Sequence, residues 1–96
     1  MRTDSGGRVA LEMASRSETE VSYDLELRSP EGVWSGRVTV AERDGEVTFA
    51  PFAPAGEPAW LVALTKAFLR GAWRDHQGGE PWPDRIHRWR AETAAR

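Results

Sequence analysis

Trp and Arg crowd the last third of the chain: Arg70, Trp73, Arg74, Trp82, Arg85, Arg88, Trp89 and Arg90. Aromatic rings stack on bases and guanidinium groups contact phosphates, so this interleaving suits a single-stranded nucleic acid. The same residue types dominate protein–protein hot spots, because they bury large area and make forked hydrogen bonds. They also serve plain packing. Trp60, Trp73 and Trp89 fall on the apolar stripes of expected helices, and Trp82 between Pro81 and Pro83 can act as a lid. The set left for binding is Arg74, Trp82, Arg85, Arg88 and Arg90.

Other chemistry is thinly supplied. His76 and His87 are the two histidines, with Asp75, Glu80 and Asp84 close in sequence. Their spacing fits no ligand pattern such as two His one helical turn apart, so they read as solvated surface residues and no metal is implied. Ser5, Ser15, Ser17, Ser22, Ser29 and Ser35 fall in expected turns or on exposed strand faces, and none is placed by spacing beside a base. Glu20, Asp24 and Glu26 share one strand face at two-residue spacing, where pairing across to Arg37 makes structural sense. Gly6-Gly7 and Gly78-Gly79 lack the strand–glycine–helix context that cradles a phosphate, so no cofactor is implied.

Composition sets the frame for these residues. Ninety-six residues make one domain, 1–96, and the absence of Cys removes disulfides and thiolate chemistry, leaving packing to supply stability. The formal charge of −2 hides a split: 6 basic and 11 acidic side chains precede Lys66, and 7 basic and 4 acidic ones follow from it. Such a split marks either an anion-binding end or two halves of one domain attracting each other. The second reading is preferred, because the C-terminal excess is small beside a nucleic-acid footprint. No run is long and apolar enough to span a bilayer and the N-terminus has no apolar signal region, so a cytoplasmic protein without membrane association is expected. The heavy use of Arg over Lys, with frequent Ala and Gly, suggests a GC-rich bacterial source.

The elements that must position the Trp/Arg segment change character near Pro51. Before it come runs of period two, the signature of strands with one buried face. Val9, Leu11 and Met13 alternate with polar or small residues; Val21, Tyr23, Leu25 and Leu27 alternate with Glu20, Ser22, Asp24, Glu26 and Arg28; Trp34, Val38 and Val40 line one face of a third run. Ser29-Pro30-Glu31-Gly32 and Asp44-Gly45 supply turns, because Pro presets φ and Gly accepts a positive one. Gly36 suggests a bulge or a close backbone approach. After Pro58, which suits a first helical turn, Trp60, Leu61, Leu64, Ala67, Phe68 and Ala72 follow helical spacing until Gly78-Gly79. Ile86 and Trp89, three apart, predict a second helical seam with Arg85 and Arg88 opposite.

The fold expected from this pattern is α+β: a four-stranded antiparallel meander (about 8–14, 20–28, 33–42 and 46–50), covered on one face by a long helix (about 58–76) and a short C-terminal helix (about 84–94). The first seven and last four residues are expected to fray. The function expected is a small non-enzymatic protein-binding or regulatory module, acting through the C-terminal Trp/Arg surface or through an unpaired sheet edge on a protein partner or a second copy. A nucleic-acid-binding protein using the same Arg and Trp side chains is the alternative, and a small enzyme the third reading.

Overall fold

The structure, a computed structural model, describes residues 6–91, with side chains described as far as residue 88. The chain builds strands β1 (Gly6–Arg16), β2 (Glu20–Ser29), β3 (Gly32–Ala41) and β4 (Val47–Phe49), then helix α1 (Ala59–Gln77), then strand β5 (Arg85–Ala91). The sheet has five strands in the order β4-β3-β2-β1-β5, with every neighbouring pair antiparallel. The α+β class and the meander of the first four strands match the sequence pattern. Gly6 and Gly7, expected in a frayed terminus, are buried in β1.

The period-two runs bury the residues that their alternation marked. Val9, Leu11, Val21, Tyr23, Leu25, Leu27, Trp34, Val38 and Val40 form one apolar face, and Leu61 and Leu69 of α1 join the same core. Thr65 lies between them, fully buried, and its hydroxyl donates to the Leu61 carbonyl at 2.8 Å, so a polar group enters the core already satisfied. The register of β2 on β3 runs unbroken through Leu25↔Gly36, so Gly36 makes no bulge. It admits instead the Phe52 ring, which a Cβ there would meet at 3.1 Å. The irregularity lies in β1, where the register shifts between Met13 and Ser15. The opposite face is polar, with Arg37 Nη2 donating to Asp24 at 2.8 Å across the β2–β3 ladder. Ser22 on this face is buried rather than exposed, and its hydroxyl pairs with that of Thr39 at 3.1 Å.

The C-terminal segment corrects the expected architecture. Residues 85–91 form a fifth strand on β1, not a second helix, through the register Glu12↔Arg85, Leu11↔Ile86, Ala10↔His87, Val9↔Arg88 and Arg8↔Trp89. On a strand, positions three apart fall on opposite faces, so Ile86 and Trp89 cannot form the seam that a helix would have given them. A helix of that length is unstable by itself, whereas β1 would otherwise leave a row of backbone donors and acceptors unpaired. Ile86 also lands opposite Leu11 and is buried, an apolar cross-strand pair that favours this register. The side chain of Trp89, and residues 92–94 of the expected helix, lie outside the described residues.

Candidate binding edge

The link from α1 to β5 determines where the Trp/Arg segment sits. Helix α1 ends in a Schellman arrangement: Glu80 N–H donates to the Asp75 carbonyl and Gly79 N–H to that of His76, both at 3.0 Å, with Gly79 at φ +108. Pro81-Trp82-Pro83 then crosses to the sheet, and its anchors come from distant residues. Trp82 is only 4 % exposed, and its indole N–H donates to the Glu42 carboxylate at 2.7 Å. The same Glu42 accepts Trp73 Nε1–H on its backbone oxygen at 2.9 Å, while Tyr23 donates its hydroxyl to the Pro83 carbonyl at 2.7 Å. Burial, reinforced by the nearby Asp84 carboxylate and partly offset by Arg16, pushes the Tyr23 phenol up to about 12. It therefore stays protonated and keeps donating.

His76 belongs to this anchor. Its ring lies 5.0 Å from that of Trp82, with Nε2 3.4 Å from Glu42 Oε1 and Nδ1 2.8 Å from the Glu80 carbonyl. A carbonyl can only accept, so Nδ1 carries a proton; Nε2 faces a carboxylate. His87 lies elsewhere, exposed on β5. Among the described residues, no three His, Cys, Asp or Glu side chains cluster as metal ligands.

The five residues singled out by sequence do not form one patch. Trp82 is part of the buried anchor, and Arg74 is exposed in the last turn of α1. Arg85 and Arg88, expected side by side on a helix, lie on opposite faces of β5. Arg85 reaches Glu12 at 3.6 Å, whereas the Arg88 guanidinium stands over the Phe68 ring of α1, 5.8 Å from its centroid. Arg90 pairs with Gly7 in the ladder, and its side chain lies outside the described residues. Glu42 and Tyr23, which hold the link, were missed in the sequence, because nothing in their local pattern distinguishes a core tyrosine or a turn glutamate that will meet residues 40 and 60 positions away.

What the fold does create is an edge, the outer side of β5, that no other strand among the described residues pairs with. Met13 N–H donates to the Asp84 carbonyl at 2.9 Å, so Met13 and Asp84 form a closely bonded antiparallel pair. Such pairs alternate. Hence Ile86, Arg88 and Arg90 turn their backbone groups toward β1, and Arg85, His87, Trp89 and Ala91 turn theirs away from it. The other end of the sheet is blunted. β4 has three residues, and Ala53 already exchanges hydrogen bonds with Ser35 beyond it. Beside β5, toward α1, lies a groove of about 660 Å³ lined by Phe68, Ala72, Pro83 and Ile86, with Asp75 and Glu80 at the link end and Arg88 along the strand. No helix among the described residues is long and apolar enough to cross a membrane. The chain matches no protein-family model, no curated protein and no solved structure.

Proposed function

We propose that this protein is a non-enzymatic binding module that takes an extended segment of a protein partner as a sixth strand on β5. One observation supports the reading above the others: the last part of the Trp/Arg segment, Arg85 to Arg90, and a sheet edge, two separate surfaces in the sequence, are the same strand. Strand addition draws affinity from main-chain hydrogen bonds and specificity from pockets for alternate side chains. Four outward-facing backbone positions and the groove toward α1 offer both kinds of contact. The nucleic-acid reading is less favoured, because Trp82 is withdrawn into the core and Arg85 and Arg88 are split between faces, so the described side chains form no row of aromatic platforms beside a cationic track.

His87→Pro tests the proposal. Proline removes an N–H that points away from β1, a change that edge strands tolerate. Peptides selected by display on the parent protein should lose binding to His87→Pro while the urea midpoint stays close to that of the parent. Selected peptides that bind both proteins equally would refute strand addition. An oligonucleotide complex that survives His87→Pro and dissolves with salt would favour the nucleic-acid reading.

A further inference from the structure

We infer that the segment taken up by β5 is acidic along Arg88–Arg90 and carries one large apolar side chain into the groove between β5 and α1. The inference rests on the strand-addition reading and adds the chemistry of the partner.

The strand Arg85-Ile86-His87-Arg88-Trp89-Arg90-Ala91 contains three arginines and no carboxylate. In an antiparallel or parallel ladder, directly opposed like charges destabilise and opposite charges stabilise. A second copy pairing through β5 would bring two such arginine sets into one ladder, so the edge is built against self-association and toward a negatively charged strand. Arg85 is already turned to Glu12, but the pair is 3.6 Å apart and mostly exposed, so water and salt screen it. Arg88 is held over Phe68 on the side of the sheet that faces the helix, where an incoming strand would place alternate side chains.

The groove supplies the second feature. Phe68, Ala72, Pro83 and Ile86 line it, and its acidic residues, Asp75 and Glu80, gather at the link end. Arg85 borders this end as well, so two carboxylates meet one guanidinium there, whereas Arg88 and Arg90 follow along the strand with no carboxylate between them. A uniformly acidic segment would meet repulsion at the link end. The complementary segment has its apolar residue there and its carboxylates further along. Two separate contributions thus set composition and placement: side-chain burial at Ile86 and charge pairing along the strand from Arg88 onward.

The test uses synthetic peptides followed by fluorescence anisotropy against the full chain. One alternates Glu and Val through its acidic half and ends in Val-Phe-Val, made in both sequence directions. A second carries Lys in place of each Glu, and a third carries Ala in place of Phe. One direction of the Glu peptide should bind, with the Lys and Ala versions each weaker by at least about tenfold, and Arg90→Ser should narrow the gap between Glu and Lys peptides. His87→Pro should abolish binding of the Glu peptide. Equal binding of Glu and Lys peptides, both lost in His87→Pro, overturns the acidic partner and leaves strand addition standing. Binding of the Glu peptide that persists in His87→Pro, or no binding of any peptide, overturns the inference. So does a concentration-dependent dimer that His87→Pro dissociates, because a second copy is then the occupant.

Discussion

At the scale of the residue, Tyr23 shows how one side chain joins core and link. It is the only tyrosine, fully buried, and its hydroxyl holds the Pro83 carbonyl. A phenol ordinarily titrates near 10, and here burial chiefly, then Asp84, raises it to about 12. The neutral form is thus the one the fold favours, so its contribution to stability is whole below pH 10 and is lost as pH rises toward 12. The near-ultraviolet absorbance of tyrosinate should appear late and together with unfolding. Tyr23→Phe should remove that alkaline dependence and cost about 1 kcal/mol at neutral pH, the net worth of one hydrogen bond. An absorbance midpoint near 10 in the folded protein would contradict this placement. Gly45 is the second such position: its φ is +74, and a Cβ would stand 2.6 Å from the Trp73 ring. Gly45→Ala should destabilise by about 1–3 kcal/mol in urea melts, because neither backbone nor indole can yield without losing the Trp73–Glu42 bond.

At the scale of the element, β5 has two edges, one paired with β1 and one turned away from it, and they can be read separately. The amides of Ile86 and Arg88 face β1 and should be slow to exchange with deuterium, whereas that of His87 faces outward and should exchange quickly. A proline pair sharpens the contrast. Arg88→Pro removes a ladder donor and should detach the strand, while His87→Pro leaves the ladder whole. Ile86→Ala, at a buried position opposite Leu11, should cost about 2–5 kcal/mol. Protection that runs evenly through residues 86–88, as in a helix, would return this segment to the architecture first expected from its spacing.

Across the whole molecule, the sheet, helix and terminal strand are locked at one place. Glu42, in the turn after β3, receives Trp73 from α1 and Trp82 from the link, and His76 and Arg16 approach the same carboxylate. Trp82→Ala should lower stability by about 3–5 kcal/mol. It should also release β5 before the rest of the sheet, because β2 and β3 keep their own ladder and core. Protection from hydrogen exchange should therefore be lost first at Ile86 and Arg88 and last at Tyr23, Leu25 and Val38. A uniform loss of protection would mean that β5 and the meander open as one unit.

The sequence by itself determined the meander, because each strand buries one face and alternation writes that face into consecutive residues. Val21, Tyr23, Leu25 and Leu27 are buried where their period places them, and Trp60 to Ala72 likewise mark α1 before any contact is known. It did not determine the state of residues 85–91. Ile86 and Trp89 fit a helical turn as well as a strand, and what separates the two is the unpaired edge of β1, more than 70 residues away by the register Leu11↔Ile86. The candidate site followed the same rule. That Arg and Trp are concentrated toward the C-terminus was legible in their density. That Trp82 is an internal anchor and that Arg85 and Arg88 part to opposite faces was decided only by tertiary structure, because face assignment depends on the period a segment adopts, and here a long-range backbone ladder sets that period.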